Sequence, residues 1–239
     1  MPDVRLPYEL SAPLRTDRLV LRAMTDEDVD DIYAYQSRAD VCRYLPFEPR
    51  TRDEVAEKVA KYAAALALSG DGDFWQLAIE RVTEPGRVIG DLYFAIKSTV
   101  NATAEIGWTL HPDFVGQGYM TEAAGALLGI AFATLGLHRV YAQLDPRNDA
   151  SGALCRRLGM REEAYFVEDL WFEGDWGDTA IYAILEREWS PSGPKASGKV
   201  PATWSSSAPC IRSSSRTRTS SAKRAGRASS STPVVRSAR

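Results

Sequence analysis

The sequence has 239 residues, 44% of them hydrophobic, enough for one domain of ordinary size with a substantial core and an appendage. Its net charge of −3 conceals two unlike parts: after Trp189 there are ten Lys or Arg and no Asp or Glu, which leaves 19 basic against 32 acidic residues, a balance of −13, in Met1–Trp189. Three scattered cysteines, Cys42, Cys155 and Cys210, form no C-x-x-C pair and have only His111 and His138 beside them, so no metal site is expected and a reducing, cytoplasmic setting is.

No secretory leader is expected, because MPDVRLPYEL lacks a basic start followed by an apolar stretch. Residues 1–13 read as an N-terminal extension. Arg18–Ala23 alternates apolar and polar residues, the pattern of a half-buried strand. Thr25 with the acids behind it predicts a capped helix to about Ser37, followed by a proline-containing loop over Arg38–Arg50. Thr51–Glu54 is a capping box opening a second helix to about Leu68, which Ser69–Asp73 stops. Phe74–Val82 and Val88–Lys97 around Thr83–Arg87 predict a hairpin, and Thr103–Leu110 a third strand. A helix follows over Thr121–Leu135; the surrounding apolar run Ala123–Leu137 is too short to span a bilayer. Arg139–Leu144 is a strand, Ala150–Leu158 a helix stopped at Gly159, and Glu162–Phe172 with Thr179–Leu185 a final antiparallel pair. This order predicts an α/β (α+β) domain, a mixed sheet with helices on both faces, over residues 14–189. Residues 190–239 hold fifteen serines and scattered arginines with one aromatic, Trp204, and read as a disordered basic tail. A tail of this charge could attract nucleic acid, but no aromatics interleave the arginines, so a nucleic-acid role is not expected.

The chemistry concentrates in His111–Ala123, HPDFVGQGYMTEA, between a strand and an apolar helix. Gly116 and Gly118 allow a tight turn and close approach of backbone to a ligand. The amides of Gly116–Met120 would then point outward at a helix N terminus, where unpaired N–H groups and the helix dipole attract an anion such as pyrophosphate.

That segment resembles the pyrophosphate loop of GNAT acetyltransferases, and G-Q-G-Y-M-T-E-A resembles the RimJ/RimL-like branch that acetylates ribosomal-protein N termini. So do T-D-R-L-V-L-R (Thr16–Arg22), A-E-I-G-W-T-L (Ala104–Leu110), N-D-A-S-G-A-L-C-R-R-L-G-M (Asn148–Met160) and Y-A-I-L-E-R-E-W (Tyr182–Trp189). In the loop pattern only Gly118 keeps a defining residue: Val115 replaces Arg or Gln and Met120 replaces a small residue. The resemblance implies the GNAT fold, a mostly antiparallel twisted sheet, and acetyl-CoA as acetyl donor with no metal. It implies that Val115, Gly116, Gln117, Gly118, Tyr119, Met120 and Thr121 hold the phosphates. Trp108, Thr109 and Leu110 would pair with the pantetheine arm, and Asn148 would touch the cofactor or fix the site. It leaves monomer and homodimer open.

Acetyl transfer needs a neutral amine, a polarised thioester and a proton for the departing thiolate. Glu105, on the cofactor strand, is the candidate base. Where many relatives carry an acidic Tyr, seven residues after Asn148, this chain has Cys155; Ser151 is the other candidate acid. Cys155 also admits a ping-pong acyl-enzyme, for which the sequence supplies no partnering base. The acceptor is a primary amine, either a protein N terminus or a small cationic amine. An α-amine of pKa about 7.7–8.0 asks little of a base, and the acidic domain attracts cations. Tyr44, Pro46 and Phe47 between the first helices, and Trp171, Phe172 and Trp176 on the last hairpin, are the candidate acceptor walls. A catalytically silent acyl-CoA-binding module is the rival reading.

Overall fold

The computed structural model describes residues 3–172 and 174–190, all within the unit Met1–Trp204. The basic tail from residue 191 on lies outside the described residues, and so does the second unit, Ser205–Arg239.

The elements run β1 (Tyr8–Glu9), β2 (Leu14–Arg15), β3 (Leu19–Ala23), α1 (Val29–Gln36), α2 (Ala39–Cys42), α3 (Arg52–Ala63), β4 (Ala67–Leu68), β5 (Phe74–Arg81), β6 (Glu84–Ser98), β7 (Thr103–Leu110), α4 (Tyr119–Gly129), β8 (Arg139–Leu144), α5 (Asp149–Arg157), β9 (Arg161–Phe172) and β10 (Asp175–Leu185). Eight strands form one sheet in the order β2-β3-β5-β6-β7-β8-β10-β9, and β1 pairs with β4 in a separate two-stranded ribbon. Every neighbouring pair in the large sheet is antiparallel except β7 and β8, which are parallel. The expected mixed, mostly antiparallel sheet is therefore present, with helices on both faces.

Alternation along the strands assigns those faces. Leu77, Ile79, Leu92, Phe94, Ala104 and Ile106 share a core with Ala123, Leu127 and Leu128 of α4 and Leu154 of α5. Ala78 and Val88 share the smaller opposite core with Ile32 and Tyr35 of α1 and Val55 and Val59 of α3. Arg22 ties β3 to its surroundings, donating to both carboxylate oxygens of Asp28 at 2.7 and 2.6 Å and to Glu80 at 2.6 Å.

Three boundaries differ from the sequence reading. The segment before residue 14 is part of the packing: Leu10 is buried, Arg5 N–H donates to Leu135 C=O at 2.9 Å, and Tyr8 meets Trp75 edge-on. The second helix stops at Ala63 because Ala67 and Leu68 leave it to pair with Glu9 and Tyr8, a contact across the chain that no local pattern announces. The first helix opens as a 3₁₀ turn, Asp26–Asp28, with the capping box at Thr25 and Asp28 in place, and α2 interrupts the loop Arg38–Arg50.

Candidate active site

β7 pairs with β6 along its whole length, Thr103 to Leu110. Its other edge meets β8 only at Thr103, Ala104 and Glu105. Beyond Glu105 the two parallel strands part, and the edge from Ile106 to Leu110 has no strand neighbour. Such an edge presents N–H and C=O groups at strand spacing to any extended amide-bearing chain laid beside it.

At the wide end of this split the chain turns into α4. His111 caps the short turn Pro112–Phe114, Gly116 has φ of 82° and Gly118 a φ of 78°. These left-handed values favour glycine. Gly118 is also the N-cap of α4 and brings no side chain to cap it, so the first-turn amides stay available. A Cβ on Gly116 would meet nothing within 4 Å, so the backbone there faces open space. The helix dipole adds its positive end.

The split and the loop open into one cavity of about 1010 Å³. All eleven cofactor residues expected from sequence line it: Trp108, Thr109, Leu110, Val115, Gly116, Gln117, Gly118, Tyr119, Met120, Thr121 and Asn148. Two arginines that the sequence did not single out line it too, Arg18 and Arg157. Arg18 binds the loop directly. It donates from Nη1 to Gln117 C=O at 3.0 Å and from Nε to Glu122 at 2.6 Å, and it lies 4.7 Å from the centre of the Tyr119 ring. Thr16 donates to the same Glu122 at 2.5 Å. The stretches T-D-R-L-V-L-R and G-Q-G-Y-M-T-E-A, far apart in the chain, thus meet at one carboxylate. Arg157 reaches Thr121 Oγ1 at 3.4 Å. The residues present fit a pyrophosphate, with open amides beneath and two guanidinium groups beside it.

Ser151 lies in the first turn of α5 and lines the cavity. Its N–H donates to the Asn148 side chain at 3.0 Å, so Asn148 is the cap that sets this turn. Its hydroxyl oxygen accepts from Trp108 Nε1 at 3.1 Å, which leaves the hydroxyl hydrogen to be donated elsewhere. Cys155, one turn further on, is fully buried, does not line the cavity, and has its thiol pushed up to about 12 by burial. Cys155 thus stands apart from the slot, and its burial disfavours the thiolate that a nucleophile needs.

Glu105 is the last β7 residue paired to β8, at the narrow end of the split. Ala104 and Ile106 face the α4 core, so Glu105 points to the opposite face, where its side chain is 20% exposed and pairs with Lys97 Nζ at 2.9 Å. It does not line the cavity. Tyr44 and Phe47 do not line it either, although their neighbour Leu45 does; each is covered by a guanidinium, from Arg43 and Arg50. Trp171 and Trp176 stack edge-on at 5.1 Å on the outer hairpin, both exposed and away from the cavity. The sequence reading also passed over Asp91, a buried carboxylate on β6 opposite Thr109. It accepts from Tyr35 at 2.6 Å and Gln76 at 2.5 Å, and loss of hydration raises its pKa to about 6.

A parallel strand pair split beside an uncapped helix N terminus is the frame of a CoA-dependent acyltransferase. The chain belongs to the GNAT acetyltransferase family: residues 18–161 match the acetyltransferase (GNAT) domain. It is 31% identical over 177 residues to the uncharacterized N-acetyltransferase YnaD of Bacillus subtilis (strain 168), covering 74% of this chain and 99% of that one. It is 29% identical over 185 residues to the [ribosomal protein uS5]-alanine N-acetyltransferase of Escherichia coli (strain K12), covering 74% and 93%. A GNAT-family acetyltransferase structure from Bacillus anthracis superposes with a TM-score of 0.66 at 29% identity, over 74% of this chain and all of that one. The protein is therefore an acetyl-CoA-dependent N-acetyltransferase.

Proposed function

We propose that this enzyme acetylates an α-amine at a protein N terminus, in the manner of the RimJ/RimL-like branch, or a small cationic amine of like charge. The observation that carries the reading is the parting of β7 from β8 immediately after Glu105. Acetyl-CoA would lie with its phosphates on the loop 115–121 and its pantetheine along Trp108, Thr109 and Leu110. Five residues of strand separate Leu110 from Glu105, about 17 Å at ordinary strand rise, which brings the far end of an extended arm to the narrow end of the split.

There the acceptor nitrogen attacks the thioester carbonyl directly and gives its proton to Glu105. The carbon–sulfur bond breaks, and the Ser151 hydroxyl, held by Trp108, passes a proton to the departing sulfur and is reprotonated from solvent. The −13 balance of Met1–Trp189 supports a cationic acceptor. No helix among the described residues is long and apolar enough to cross a membrane, and a cytoplasmic setting suits both donor and acceptor. A panel of peptide N termini, polyamines and lysine-only peptides, assayed by release of free CoA thiol, tests the acceptor class. Turnover confined to lysine side chains would refute it.

A further inference from the structure

The acceptor side of Glu105 carries a second feature. Phe74, Ala95, Glu105 and Tyr141 stand opposite one another on four successive strands, so their side chains share one face of the sheet. Tyr93 lies on that face too, its ring packed over Gly107, where a Cβ would come within 3.7 Å of the ring, and 6.0 Å from the Phe74 ring. The Glu105 carboxylate thus shares its face with the rings of Tyr93 and Tyr141, both close enough to feel its charge, and Phe74 stands beyond Tyr93. A carboxylate walled by aromatic faces is the chemistry that recognises an alkylammonium ion.

A cation already occupies this place. Lys97 comes from the irregularity between Ile96 and Ser98, where β6 departs from regular pairing with β7, and such irregularities redirect a side chain. Its ammonium lies 2.9 Å from Glu105, while 42% of its side chain remains exposed. The pair's charges act on both neighbouring phenols: Tyr93 and Tyr141 are raised first by burial and then by the Glu105 charge, with Lys97 opposing. A pair whose cation is this exposed is held weakly and is displaceable. Two further cations stand on this face: Arg139 donates to Glu163 at 2.6 Å while its guanidinium lies 5.0 Å from the centre of the Tyr141 ring, and Lys61 lies 5.6 Å from the centre of the Phe74 ring.

We propose that Glu105, Tyr93 and Tyr141 form the seat of the acceptor's primary ammonium group, and that Lys97 is a resident competitor occupying that seat in the free enzyme. This rests on the reading of Glu105 as the group that meets the acceptor. The seat takes a linear alkylammonium; when one binds, Lys97 swings to solvent and leaves its carboxylate to the newcomer. Lys97 then sets acceptor affinity without touching acetyl-CoA.

Calorimetric titration of the full chain with putrescine tests the seat without any need for turnover. Lys97→Met keeps the alkyl stem and removes the charge, so it should tighten putrescine binding about two- to five-fold, the range open to an exposed ion pair. Lys97→Arg keeps the competing cation and should bind as the parent does. In a Glu105→Gln background, binding should weaken and the gain from Lys97→Met should vanish. Unchanged or weaker binding by Lys97→Met would overturn the proposal. So would a gain that persists without the Glu105 charge, since that is long-range electrostatics alone. No binding of putrescine to parent or variant would also overturn it. Lost putrescine binding with retained acetyl transfer in Glu105→Gln would keep the seat and remove Glu105 from the role of base.

Discussion

Gly118→Asp isolates the phosphate loop. Gly118 holds a φ of 78° as the uncapped N-cap of α4. Any L residue there is strained by about 1–2 kcal/mol, and Gly118→Ala measures that strain alone. Aspartate adds a carboxylate at the mouth of the amide cup. At about 4 Å from a phosphate, with an effective dielectric constant near 20, the repulsion is about 4 kcal/mol. Arg18, whose Nη2 lies 3.5 Å from the new Cβ position, would draw the carboxylate and offset part of this. A residual of about 3 kcal/mol still weakens acetyl-CoA roughly a hundred-fold. The assay is thermal melting with and without acetyl-CoA. At a hundred times its Kd a ligand stabilises by about 2.7 kcal/mol, or roughly 5–10 °C for a domain of this size. At the same acetyl-CoA concentration Gly118→Asp should lose most of that shift, whereas Gly118→Ala should keep most of it from a lower baseline. A folded Gly118→Asp protein with the parent's full shift would show that the phosphates bind elsewhere.

Glu105→Gln should lower turnover by about 10²–10⁴-fold at neutral pH with acetyl-CoA binding intact, and the deficit should shrink as pH rises and neutral amine becomes abundant; near-normal turnover at neutral pH would leave Glu105 an ordinary strand residue. Ser151→Ala should reduce the maximal rate by up to about 10²-fold while Cys155→Ala leaves it nearly intact, and the reverse order in steady-state kinetics would return the acid role to Cys155. Arg22→Ala strands Asp28 and Glu80, both buried, and should cost about 3–5 kcal/mol in denaturant unfolding; a loss under about 1 kcal/mol would mean that water replaces the guanidinium. Asp91, raised by burial from 3.8 to about 6, ionises against a penalty that is absent below the lower value and complete above the upper one. Asp91→Asn should therefore gain on the parent as pH rises through that window, by up to about 3 kcal/mol, and a difference independent of pH across it would refute the burial argument.

What the sequence revealed follows the range of the forces involved. The caps at Thr25 and Thr51 and the glycine turn at Gly116–Gly118 were legible because each depends on a few adjacent residues. The end of α3 was not, because Ala64–Leu68 contains no helix breaker and only pairing with Tyr8–Glu9 decides it. Arg18 and Arg157 escaped notice for a similar reason. An arginine beside a strand or in the last turn of a helix is ordinary until the fold carries it to the cavity. Ser151 and Cys155 stand one turn apart on the same short helix, and sequence alone did not reveal which one looks into the slot. The difference is the helix face: Ala150, Ser151, Leu154 and Arg157 line the slot, while Cys155 turns into the core beside them.

The placement of these groups also bears on the order of events. Trp108 shares the alternation of Ala104 and Ile106, so it and Ser151 lie on the α4–α5 side of the sheet, whereas Glu105 lies on the other. A continuous sheet would keep a base and an acid so placed from acting on one reaction centre. The sheet is not continuous here, because the ladder between β7 and β8 ends at Glu105. On the proposed placement, a thioester at that point would be open to an amine from the Glu105 face, with Trp108 and Ser151 on the other side. Opposed access of this kind suits single, direct displacement. A ping-pong route would have to carry the acetyl group away from the acceptor face to Cys155, in a core where burial pushes its thiol up to about 12. Incubation with radiolabelled acetyl-CoA in the absence of amine should therefore leave the protein unlabelled at Cys155; stoichiometric label there would reverse the argument.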